Sequence, residues 1–197
     1  MRLGLFGGRF DPVHVGHLMV AQNALEVLGL DELWFIPAKT PPHKDTAAAA
    51  EERYEMLLLA TNTHPRFRVS RLEIERTGAS YTFDTVAEVR AQMPDAELFF
   101  ITGVDAYAQI ATWHRARELV SNVSVVALGR PGYSLEGLDP YFRERVHVLE
   151  TPLWEVSSTA IRRRLARRES VRYLVPEPVE RYLAKNPLYH QQPLHQN

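Results

Sequence analysis

Two histidines three positions apart, His14 and His17, follow a glycine pair, Gly7 and Gly8, in the stretch LGLFGGRFDPVHVGHLMVAQNALEVLGL near the start of the chain. An apolar strand ending in glycines lets a ligand approach the backbone closely, with no side chain in the way. A helix that begins just beyond it presents unpaired amide protons and the positive end of its dipole, which together suit an anion. Imidazoles at that mouth can donate hydrogen bonds to phosphate oxygens from either side of the turn, and bound phosphate favours their charged forms. The ligand chemistry indicated is a polyphosphate. Zinc is the competing reading of a histidine pair. It is weaker here, because zinc pairs on helices more often sit four apart, no metalloprotease glutamate is present and the chain has no cysteine.

These side chains need a frame. Leu3 to Phe6 reads as a buried strand, and Leu18, Ala21, Leu25 and Leu28 recur at helical spacing from a start near Val15 to His17 until Gly29 supplies a stop. Strand patterns recur over 32–37, 67–74, 98–102 and 123–128. Helical periodicity lies between them over 51–62, 83–93 and 105–120, the last with a break near Thr112. The alternation predicts an α/β fold, a Rossmann-like doubly wound parallel sheet with helices on both faces and a small C-terminal helical part. We read residues 1–197 as one domain, with a core over 1–150, the helical part over 151–187 and a flexible tail over 188–197. Ligands of such sheets bind beyond the carboxyl ends of the strands, where Gly7, Gly8, Gly103 and Asp105 fall. A second anion element follows late, at VSSTAIR, where serines before an apolar-periodic helix are good N-caps and Arg162 stands one turn in. Capping alone would explain those serines equally well.

Composition narrows the class. A chain of 197 residues with 45% hydrophobic and 24% charged residues can bury one core, and a net charge of -1 argues against a general nucleic-acid binder. Zero cysteines excludes disulfides and thiolate metal sites, and no apolar run approaches a membrane span. A cytoplasmic protein is expected, with homo-oligomerisation left open.

GGRFDPVHVGH resembles the signature of the His-x-Gly-His nucleotidyltransferase superfamily, with Arg9 where threonine or serine is commoner, and SSTAIR resembles its second signature. PPHK, SYTFDT, GVD, TW and GRPG are similar, in order, to segments of the bacterial nicotinate mononucleotide adenylyltransferases. The resemblance implies ATP and nicotinate mononucleotide as substrates and Mg²⁺ carried on the ATP phosphates. It implies catalytic roles for His14, His17 and Arg162. ATP would be held by Gly7, Gly8, Phe10, His14, His17, Gly103, Asp105, Ser157, Ser158, Thr159 and Arg162. His43 and Lys44 would contact the acceptor phosphate, Trp113 would stack on the pyridine ring, Tyr81, Thr82 and Thr85 would shape the nicotinate pocket, and Arg130 would lie near the nucleotide. Read from the residues alone, Trp113 could simply pack, Asp105 could be an N-cap, and Thr85 could return a bond to its own backbone. A pantetheine-phosphate adenylyltransferase and a nucleotide-binding regulator without turnover are the alternatives.

Overall fold

The computed structural model describes residues 1–39, 46–129, 135–150 and 156–189. Its strands are β1 (Arg2–Gly8), β2 (Glu32–Pro37), β3 (Phe67–Val69), β4 (Glu97–Gly103), β5 (Ser124–Gly129) and β6 (Val146–Glu150). They form one sheet in the order β3-β2-β1-β4-β5-β6, every pairing parallel. Strand order reverses at β1, so the crevice beyond β1 and β4 is the place where such a sheet opens to a ligand. Gly7 and Gly8 end β1 there, and Gly103 ends β4.

The pleat sorts side chains onto two cores. Phe6, Phe35, Phe99 and Ile101 face one side, against α1 (Val15–Val27), α2 (Ala50–Thr61), α8 (Ser158–Ala166) and α9 (Glu177–Lys185). Leu3, Leu5, Leu98 and Phe100 face the other, against α4 (Thr82–Gln92), α5 (Val104–Tyr107), α6 (Ala116–Asn122) and α7 (Pro140–Arg143). The C-terminal helices therefore share the core of α1 and α2 instead of standing apart from it.

Two expectations are corrected. The strand read over 67–74 stops at Val69, because the Ser70 amide makes the last link, to the Phe35 carbonyl, and its hydroxyl accepts the Leu72 amide and turns the chain. Residues Leu72–Glu75 form a helical turn, α3, with Ile74 buried, since an apolar residue at every second or third place suits either conformation over so short a run. The break expected near Thr112 is present: a 3₁₀ turn over Ile110–Thr112 divides α5 from α6, and Arg115 with φ of 52° makes the bend. The flexible tail expected over 188–197 does not hold for its first two residues: Leu188 packs on the core and Tyr189 is 4% exposed, held by an apolar surround and one hydrogen bond. β6, which the pattern reading passed over, is an edge strand whose polar His147 and Glu150 blur the apolar signal.

Candidate active site

The loop between β1 and α1 carries the first half of the site. Phe10 turns it with φ of 49°, and its ring, 2% exposed, lies under Phe6, Phe35 and His17 at centroid distances of 5.4, 5.7 and 5.0 Å. A Cβ on Gly8 would come within 2.9 Å of that ring, so the strand end must be bare there. His14 is the N-cap of α1, and its ring stacks on His17 with centroids 3.7 Å apart. Gly16 makes the stack feasible, since a Cβ at that position would sit 3.0 Å from His14 Nδ1. The His-x-Gly-His spacing is thereby a packing requirement as well as a signature.

The amide of His14 donates to His17 Nδ1 at 3.2 Å. An accepting Nδ1 places the His17 proton on Nε2, which makes that atom a hydrogen-bond donor in the neutral ring. Burial lowers the His14 pKa from 6.5 to about 4, and burial together with the neighbouring His14 holds His17 well below its usual value. The unliganded site thus starts from neutral imidazoles, and a bound phosphate has to work against burial to charge them. His14 Nδ1 is buried without a partner among the described residues, in keeping with a site built for something more than the protein supplies. Part of the α1 anion capacity is already used: the Val15 amide donates to the Leu174 carbonyl at 3.0 Å and the His17 amide to His14 at 3.0 Å.

These shifts predict acid lability. The folded pKa of His14 lies below its unfolded one, so its contribution is present above about pH 6.5 and is lost as pH falls toward 4. A drop from 6.5 to about 4 is worth about 3 kcal/mol at ~1.4 kcal/mol per pH unit, and His17 acts in the same direction. Burial raises the Glu73 pKa, and its share runs the opposite way, being lost as pH rises. Urea unfolding at pH 7.5 and 4.5 should show wild type losing about 2.5 kcal/mol more than His14→Asn; equal losses would refute the buried neutral His14.

The second half of the site comes from α8. Ser157 is its N-cap, its hydroxyl accepting the Ala160 amide at 3.2 Å. Ser158 instead reaches across, Oγ donating to the Pro12 carbonyl at 2.9 Å, and Arg162 Nη1 donates to the Asp11 carbonyl at 2.7 Å. Arg162 Nη2 also reaches Thr159 Oγ1 at 3.3 Å. Two helix N-termini thus meet at one rim of the sheet. A cleft of about 850 Å³ opens beside them, lined by Gly7, Gly8, Phe10, His14 and His17 and by Gly103 and Asp105. Ser157, Ser158, Thr159 and Arg162 border this cleft through Val156 and the 11–14 loop without lining it.

On the other side of β1, Trp113 meets Phe100 edge-on at 6.1 Å, and a Cβ on Gly7 would come 3.2 Å from the same Phe100 ring. Phe100 therefore separates the Gly7 backbone from Trp113. Tyr81 lies against His114 at 4.6 Å, and Thr82 opens α4. Thr85 is buried with its hydroxyl donated to Glu73 at 2.8 Å and accepting from Arg76 at 2.9 Å, so it is committed to the protein and does not point a free group at a ligand. His43, Lys44 and Arg130 lie outside the described residues.

Pattern reading missed the scaffold beneath this site. Arg53 is 0% exposed, and its guanidinium donates to the carbonyls of Arg9 (2.7 Å), Ala38 (2.6 Å), Lys39 (3.3 Å) and Ala48 (3.2 Å). The available signal was an arginine three and four residues before Met56 and Leu57, on the buried face of α2.

A profile described as cytidylyltransferase-like matches residues 5–164. A protein of Thermus thermophilus described as a probable nicotinate-nucleotide adenylyltransferase is 52% identical over 189 residues, covering 96% of this chain and all of its own. The chain belongs to the nicotinate-nucleotide adenylyltransferase family, within the cytidylyltransferase-like group. Another relative so described, from Exiguobacterium sibiricum, is 45% identical across 96% of this chain and 99% of its own. The fold matches that of the Plasmodium falciparum nicotinic acid mononucleotide adenylyltransferase complexed with NaAD, with a TM-score of 0.79 at 18% identity over 95% and 97% of the two chains. Among the described residues no helix is long and apolar enough to cross a membrane.

Proposed function

We propose that the chain transfers AMP from ATP to nicotinate mononucleotide, releasing pyrophosphate and forming nicotinate adenine dinucleotide. The observation that carries this reading is the junction of the two signature segments, Ser158 on Pro12 and Arg162 on Asp11, beside the stacked histidines. An oxygen of the acceptor phosphate attacks the α-phosphorus of ATP, a new P–O bond forms, and the bond to the β-phosphate oxygen breaks with its electron pair leaving on pyrophosphate. The nucleophile is already anionic, because a phosphate monoester has a second pKa of ~6, and no protein base is required. Catalysis then rests on alignment and on donors placed where charge builds.

His17 Nε2, His14 and Arg162 are the donors we assign to the α-phosphate and the departing pyrophosphate. Gly7 and Gly8 let ATP approach the end of β1, Phe10 supports His17 from below, and Asp105 reaches the ribose from the end of β4. Ser157, Ser158 and Thr159 hold the start of α8 toward the phosphates. On the acceptor side we assign Trp113 to the pyridine face, Tyr81 and Thr82 to the nicotinate pocket, and His43, Lys44 and Arg130 to the mononucleotide. Thr85 serves that pocket through Glu73 and Arg76. A divalent cation, Mg²⁺, arrives with the triphosphate. We assign the cation to the triphosphate oxygens. A cytoplasmic setting is part of the proposal and rests on composition.

The test is a panel of phosphate acceptors offered with ATP and Mg²⁺ and scored for pyrophosphate and dinucleotide. Nicotinate mononucleotide should be the best acceptor, with the nicotinamide analogue at least about tenfold lower in kcat/KM, because donors matched to a carboxylate are left facing an NH₂ group. Equal efficiency with the two would remove the carboxylate-reading pocket, and ATP binding without pyrophosphate release would favour a regulator.

A further inference from the structure

The buried carboxylate of Asp11 is a junction that the chemistry above does not use. It is 1% exposed and accepts three hydrogen bonds: from the Ala47 amide at 2.7 Å, the Ala48 amide at 3.1 Å and the Tyr189 hydroxyl at 2.8 Å. Its own carbonyl takes Arg162 Nη1, and the same nitrogen lies 3.9 Å from its Oδ2. Ala47 and Ala48 are where the chain returns from residues 40–45, the segment that carries His43 and Lys44. Ala38 and Lys39, where that segment departs, are held by Arg53, which also binds Ala48 and Arg9. The described residues on either side of 40–45, the turn between β1 and α1 and Arg162 therefore converge on Asp11 and Arg53, and a side chain 178 positions away from Asp11 closes the arrangement.

From this convergence we infer that Tyr189 is a positioning residue, which through Asp11 sets Arg162 for the nucleotide and Ala47–Ala48 for the acceptor loop. The argument rests on the function proposed above. A carboxylate has no proton to give, so the phenol must be the donor. Burial and the adjacent Asp11 charge raise the Tyr189 pKa and keep that proton in place throughout the working range. Without it, the carboxylate keeps its two amide donors but is free to turn toward Arg162, which is already within ion-pair distance.

Tyr189→Phe preserves the ring and its packing and removes only the donor. It should raise KM for both substrates about tenfold, the equivalent of ~1.4 kcal/mol, and lower kcat as well but by less than loss of His17, since Arg162 is displaced while the histidine stack is untouched. Leu188→Ala is the control: Leu188 packs on the same core with no hydrogen bond to Asp11, and its loss should lower Tm while both KM values stay at wild type. Wild-type KM values in Tyr189→Phe, or an equal rise in KM in Leu188→Ala, would overturn the assignment. Calorimetric titration with ATP alone should show about tenfold weaker binding to Tyr189→Phe. That readout judges Tyr189 even if wild type fails to use nicotinate mononucleotide, and unchanged ATP affinity would count against it.

Discussion

His17→Ala should lower turnover about 10²- to 10³-fold, the scale seen when one preorganised donor is removed from a developing negative charge. His17 is fitted for that task by its neighbours. The His14 amide occupies Nδ1, the Nε2 proton is left for the ligand, and Phe10 beneath the ring fixes its plane. Alanine also leaves the His14 amide without its acceptor, which costs about 1 kcal/mol of stability. His17→Asn separates the two effects, because its side-chain oxygen can still accept from that amide while nothing replaces Nε2. Turnover in both variants should fall alike, with Asn near wild type in Tm. Near-normal pyrophosphate release by either purified variant would remove His17 from the transition state.

Arg53→Met should destabilise the fold by about 3 to 5 kcal/mol, the range for breaking a buried, hydrogen-bonded charge arrangement. Methionine fills most of the volume and donates nothing. The carbonyls of Arg9, Ala38, Lys39 and Ala48 are left buried without their shared donor, and Asp11 loses the nearby positive charge. The deficit should appear in urea unfolding at neutral pH. Arg53→Lys should recover only part of it, because one ammonium cannot span four carbonyls that diverge around a planar fork. A loss below about 1 kcal/mol for Met would show that water or local rearrangement satisfies those carbonyls.

Local sequence carried most of the nucleotide side. Glycines at the end of an apolar strand, histidines at a helix mouth and a serine cap before Arg162 are all patterns within ten residues or so, set by backbone sterics and helix-end chemistry. The acceptor side was legible mainly through resemblance, since Trp113, Tyr81 and Thr82 follow no local rule that marks them as ligands. Thr85 is open to two readings from its spacing, and its hydroxyl is bonded to Glu73 and Arg76 and lies 3.4 Å from the Tyr81 carbonyl one turn back, the backbone bond that spacing allowed.

Strand and helix alternation, the parallel sheet, and the starts of α1 and α8 could be read from residue order, because hydrophobic period and capping act over a few neighbours. Which helix mouths meet, how His14 comes to lie on His17, and why the buried Asp11, Arg53 and Tyr189 are joined to the half-buried Arg162 emerged with the folded chain. Those contacts join residues up to 178 positions apart. Their geometry is set by how the sheet and its helices pack, and a buried charge is stable only where such packing delivers every one of its partners.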